Sequence, residues 1–183
     1  MARSPIDMPA LGRLPTNQVL DMLLNLLLRG PAISGHPDGA WWTNLVRLTD
    51  KSVREYEAAR TELNDWVGSG SNTWSPLFRG IDHLENCVTS THRAALFAGR
   101  LDAAGHPGFS RVATPRQQDT LRLVRNHIEH MDDKLIKSQV AVGDSVMITP
   151  LRKRLEIGTQ RLQWRDLSGV ITKLVGAVER ASQ

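Results

Sequence analysis

Cysteine is almost missing from this chain: Cys87 stands alone among 183 residues. A single thiol excludes an intramolecular disulfide and any thiolate metal cluster built within one chain. Its neighbours Leu84 and Val88 mark it as a small buried hydrophobe rather than a nucleophile. A reducing, cytoplasmic setting is the corresponding expectation. Aromatic residues are scarce at 5%, with five Trp beside one Tyr and three Phe. Long apolar runs are missing too. The best, Val19 to Leu28, is interrupted by Asp21 and Asn25, which reads as an amphipathic helix rather than a signal sequence or a span. No segment approaches the roughly 20 apolar residues that crossing a bilayer needs, so no membrane partner is expected.

What is present suits a globular domain. The hydrophobic fraction of 40% and the length allow a real core, and the formal charge of +4 makes polyanions plausible partners. Residues 1–15, with Pro5, Pro9 and Gly12, read as a flexible arm. Thr16 caps a first helix that ends near Arg29, before Gly30-Pro31. A turn-rich connection follows through Ser34 to Gly39, and Trp41 and Trp42 after it are expected to close over the core. A second helix is expected from Thr49 or Asp50 to Trp66, and a third from Ser75-Pro76 to about Leu101. Thr114-Pro115 opens a fourth that runs to about Ser138, with the stripe Leu121, Val124, Ile128, Met131 and Leu135.

From Val140 the period shortens. Val146 to Ile148, Leu155 to Ile157 and Arg161 to Trp164 read as short strands, with Gly158-Thr159 as the turn between the last two. A closing helix from about Asp166 uses Leu167, Val170, Ile171, Leu174 and Val178. The expected fold is therefore mainly α. A four-helix bundle occupies residues 16–139, and a β-hairpin and C-terminal helix at 140–183 pack on it.

The fourth helix carries the chemistry. On an ideal wheel at about 100° per residue with Leu121 as origin, the stripe centres near roughly 320°; Arg125 falls near roughly 40°, Glu129 near 80°, Asn126 near 140° and His130 near 180°. Arg122 and Asp133 share that polar arc. Arginine offers a permanent cation and a planar fork suited to phosphate oxygens. Histidine moves a proton near neutrality, and asparagine orients a phosphate or hydroxyl without changing charge. The trio suits cleavage of an RNA backbone by its own 2′-hydroxyl, with His130 as base and Arg125 against the charge developing on phosphorus.

An all-helical core whose last long helix carries Arg125-Asn126-His127-Ile128-Glu129-His130 resembles the HEPN superfamily of ribonucleases and toxin-like proteins. There the motif is Arg, usually a polar residue, then His after four to six intervening positions. The resemblance covers residues from Thr16 to Ser138. It implies a four-helix HEPN-like bundle and a homodimer with two motifs facing across a shared cleft. It further implies RNA as substrate, cleavage without metal or other cofactor, a cyclic phosphate product, and a role in defence or growth control. An antitoxin or regulatory protein is a further partner in such a setting. Asp132 stands two residues after His130, where members paired with nucleotidyltransferase antitoxins often place a tyrosine.

Other readings attach to the same residues. Glu129, one turn from Arg125, pairs with it as an orienting partner or as a plain surface ion pair. The basic run Arg152-Lys153-Arg154, near Arg161 and Trp164, is a candidate RNA contact or simply the solvated face of a hairpin. His127 and His130 with Glu129 and Asp133, or Asp82, His83, Glu85 and His92 on the third helix, invite a metal, but no repeated Glu-x-x-His supports one. The main rival to the nuclease is a non-catalytic helical module for dimerisation or partner binding.

Overall fold

The computed structural model describes residues 5–12, 38–68, 73–106, 108–140 and 145–180. The helix expected from Thr16 to Arg29 lies outside them. Among the described residues the chain forms four helices, α1 (Gly39–Gly68), α2 (Ser75–Ala103), α3 (Pro115–Ile136) and α4 (Trp164–Arg180). A small sheet of β1 (Thr149–Pro150), β2 (Arg154–Ile157) and β3 (Gln160–Gln163) precedes the last helix.

The first of these helices starts ten residues before the expected Thr49. Thr49 and Ser52 are interior, and Ser52 Oγ donates to the Leu48 carbonyl four residues back. Hydroxyls that bond back along a helix do not cap it. Leu45, Val46 and Leu48 already face the core, so burial carries the helix back to Gly39. Trp41 and Trp42 therefore sit in its first turn, and residues 34–37 of the turn-rich connection expected before them lie outside the described residues. Both are half-buried against the core, and Trp42 meets the Phe109 ring edge-on at 4.9 Å.

Helices α1 and α2 form an antiparallel pair. Arg79 binds Glu62 at 2.8 Å, His83 donates to Glu55 at 2.7 Å, and Lys51 reaches Asn86 at 3.0 Å. Gly80 lets the two backbones approach: a Cβ there would lie 2.8 Å from Leu63 Cγ. The Arg79 hydrogen bond also holds the Glu62 carboxyl below its ordinary range. Between the helices, burial pushes the Cys87 thiol up to about 12, so it is an inert core group.

The sheet is antiparallel in the order β1-β2-β3, with Leu155 opposite Leu162 and Thr149 opposite Glu156. The first strand falls just after the expected Val146 to Ile148. Ile148 is buried, but Val146 and Met147 are exposed in a bend. Trp164 ends the alternation and opens α4; its ring is buried and Nε1 donates to the Leu151 carbonyl. Helix α4 sets Leu167, Val170, Ile171, Leu174 and Val178 against α1 and α2, so the C-terminal unit packs on the helices.

Residues 5–12, expected within a loose arm, lie across this body. Ile6 and Met8 are buried. Asp7 takes the Arg152 guanidinium at 3.0 Å and donates its N–H to the Arg152 carbonyl. The Tyr56 hydroxyl donates to the Pro9 carbonyl, and Leu11 N–H donates to Glu57. No described helix is long and apolar enough to cross a membrane.

Candidate functional site on the outer face of α3

Helix α3 begins as its sequence dictates. Thr114 is extended, its Oγ1 accepts from Gln117 N–H at 3.2 Å, and Gln117 Oε1 accepts from Thr114 N–H at 3.0 Å. This reciprocal box, with Pro115 in the first turn, satisfies donors that a helix start leaves open. Leu121, Val124 and Met131 are buried and Ile128 is half-buried, which fixes the rotation of the helix. Leu135, the last expected member of the stripe, is 45% exposed and Ile136 is 81% exposed. The helix outruns the core by its last turn.

That rotation places the motif residues in a graded series. Arg125 is half-buried at the edge of the core, Asn126 is half-buried, and Glu129 and His130 are exposed. Arg125 and Glu129 form a two-pronged pair: Nε donates to Oε1 at 2.8 Å and Nη2 to Oε2 at 2.5 Å. Arg122 turns to Asp119 at 2.6 Å. The structure thus gathers Arg125 and Glu129 in direct contact, and leaves Asn126 and His130 further round the same polar arc.

His127 points elsewhere. Its Nδ1 lies 3.0 Å from the Leu123 carbonyl, which can only accept, so Nδ1 carries the proton. The ring lies against the β2–β3 turn, where a Cβ on Gly158 would be 2.9 Å from Cδ2. His127 is therefore the bolt between α3 and the sheet. It lines a cavity of about 60 Å³ with Met131, Lys134, Ser145 and Thr159. Among the described residues no three His, Cys, Asp or Glu side chains converge as a metal site would require.

The basic run on the sheet is mostly committed to ion pairs. Arg152 holds Asp7, while Arg154 and Arg161 both hold Glu156, at 2.7 and 3.1 Å. Lys153 is exposed between them.

Sequence reasoning gave His92 no role beyond a weak metal candidate. It lies on α2, 4% exposed, with Nδ1 buried and without a hydrogen-bond partner among the described residues. Its pKa is held below the ordinary histidine value by burial first, then by Arg125, with Arg122 adding to the effect and Glu129 opposing it. An imidazole of α2 thus sits within the field of the α3 pair. The signal was available: His92 falls four after Val88 and three before Ala95, on the apolar series of its helix.

Neither a protein-family model, nor a curated protein, nor a solved structure matches this chain.

Proposed function

We propose that the outer face of α3 is a phosphodiester-directed site and that the protein is a metal-independent endoribonuclease of the HEPN type. The observation that carries this reading is the Arg125 fork. Its Nε and Nη2 already grip two oxygens of an anion, those of Glu129, in the arrangement that two phosphate oxygens would take. The exposed His130 imidazole supplies a base five residues along the same helix and about 140° further round it.

In the proposed reaction His130 takes the proton of an RNA 2′-hydroxyl. The 2′-oxygen attacks the adjacent phosphorus, the bond from phosphorus to the 5′-oxygen breaks, and that oxygen leaves with a proton from solvent. The products are a 2′,3′-cyclic phosphate and a 5′-hydroxyl end. Arg125 stabilises the charge spreading over the phosphoryl oxygens, and Asn126 orients the substrate. Arg122, Lys153 and, once released from their carboxylates, Arg152 and Arg154 suit neighbouring phosphates. A homodimer would set two such faces across one cleft, and an antitoxin or regulatory protein would act by covering it.

A second reading has its own observation. Leu135, Ile136, Val146 and Met147 are large apolar side chains exposed at the end of α3 and in the bend before β1, which favours a helical interaction module without catalysis.

One experiment separates the two. Wild type, Arg125→Ala and His130→Ala, each confirmed folded by circular dichroism, are incubated with structured and unstructured RNA in excess EDTA. The nuclease reading expects cleavage by wild type with cyclic phosphate ends, and a loss of about 10²-fold or more for His130→Ala. Absence of cleavage by wild type, or full activity in His130→Ala, overturns it in favour of the interaction module.

A further inference from the structure

A phosphodiester that takes the Arg125 fork must first displace Glu129, because both carboxylate oxygens occupy it. Left without a partner beside the incoming phosphate, that carboxylate would repel it. Water on the exposed helix face is one destination for the displaced Glu129 carboxylate, and a protein donor on the adjoining helix is another. The adjoining helix holds one group with an unmet need: His92 on α2, almost wholly buried, with an Nδ1 that has no partner among the described residues. A buried polar atom without a hydrogen bond is costly to keep, and such atoms call for an explanation. The charged groups that act on His92 are Arg125, Glu129 and Arg122, all from α3.

We propose that His92 is a positioning residue of the α3 site: its Nδ1–H is the seat onto which the Glu129 carboxylate swings when a phosphodiester displaces it from Arg125. The inference rests on the phosphate-directed reading of Arg125. Without ligand, Arg125 and Glu129 satisfy each other and His92 Nδ1 is orphaned. With ligand, Arg125 holds the phosphate, Glu129 accepts from His92, and no group of the three is left over. The exchange repairs the orphan and moves the carboxylate away from the phosphate, so the ligand favours the second arrangement by a stated difference in contacts. His92 then sets how readily Arg125 is released to substrate, without touching the substrate.

The test uses the full chain and a 2′-O-methyl oligoribonucleotide of mixed sequence, which presents phosphodiesters but no attacking hydroxyl. Binding is measured for wild type, Arg125→Ala, His92→Leu, Glu129→Gln and the His92→Leu/Glu129→Gln double variant. His92→Leu is expected to weaken binding roughly 5- to 10-fold. Glu129→Gln is expected to tighten it, because Arg125 loses its competing anion. In that background His92→Leu should change affinity by no more than about twofold.

Because a buried histidine variant can fail to fold, the ring nitrogens of the wild-type protein are also followed by ¹H–¹⁵N spectra during the titration. The His92 Nδ1–H resonance should move together with the Arg125 Nε–H, and the Glu129→Gln substitution should abolish the His92 movement. If wild type does not bind, or Arg125→Ala binds equally well, the phosphate reading fails and this inference fails with it. If Arg125 matters but His92 Nδ1–H stays still, or His92→Leu costs as much with Gln at 129 as with Glu, the phosphate reading stands and the seat on His92 is refuted.

Discussion

The contact between His127 and Gly158 makes a sharp stability prediction. Gly158 turns β2 into β3 at φ +54°, and a Cβ there would lie 2.9 Å from His127 Cδ2 and 3.2 Å from Nε2. Replacement by alanine adds two costs. A left-handed conformation costs a non-glycine residue about 1–2 kcal/mol, and forcing a methyl against a fixed neighbour costs about 1–3 kcal/mol. The ring is held where it is by the bond from its Nδ1–H to the Leu123 carbonyl. Gly158→Ala should therefore destabilise by about 2–5 kcal/mol.

Urea unfolding followed by far-ultraviolet circular dichroism reads the effect directly. With a slope of about 2 kcal/mol per molar, the midpoint should fall by about 1 M or more. The His127→Ala background separates the two terms: only the backbone cost, about 1–2 kcal/mol, should remain there. If Gly158→Ala costs the same in both backgrounds, the ring is not what the methyl meets, and the account of His127 as the bolt between α3 and the sheet is wrong.

Other outcomes follow from the same geometry. Gly80→Ala drives a methyl to 2.8 Å from the fully buried Leu63 and should lower stability by about 1–2 kcal/mol net of the helix propensity gained. Gly99→Ala on the same helix, with nothing within 4 Å, should instead raise it by up to about 1 kcal/mol; paired thermal melts compare them. Thr114→Ala removes one side of the capping box and should cost about 1 kcal/mol, read by the same melts. His92 is held below the ordinary histidine pKa in the fold, so the unfolded chain takes up its proton first as pH falls. Stability should drop as pH is lowered from about 6.5 towards the folded value, by no more than about 1.4 kcal/mol per pH unit. Urea titrations at pH 7 and 5 should show this increment in wild type and lack it in His92→Gln.

The elements that were legible in sequence are those whose signals are local. Thr114-Pro115 with Gln117 defines a helix start within four residues, and Gly158-Thr159 defines a turn within two; both are where the sequence puts them. The start of α1 was not legible at Thr49, because a threonine reads as a cap or as an interior residue depending on whether the preceding residues bury anything. Leu45 and Val46 do, since both are buried in the core. Trp164 fails the same way: alternation extends the strand through it, while the helix claims it once its ring finds the core and its Nε1 finds Leu151. Within the site, the Arg125–Glu129 pair follows from spacing alone. His92 does not, since its relation to that pair is made by the packing of α2 on α3.

Under the proposed function, the energies of that neighbourhood favour opening of the pair. An ion pair one turn apart on an exposed helix face is worth about 0.3–0.5 kcal/mol, and both partners here keep about a third of their side-chain surface in water. Charge-assisted hydrogen bonds from a guanidinium to a less exposed phosphate are worth about 1.5–3 kcal/mol. Glu129 therefore contributes little to holding the fold, and under the proposed function it competes with phosphate for Arg125. A carboxylate so weakly tied is free to leave Arg125, which is what the proposed exchange onto His92 requires. Replacing Glu129 by Gln should leave the melting temperature nearly unchanged while altering anion binding. A structural ion pair would show the opposite pattern.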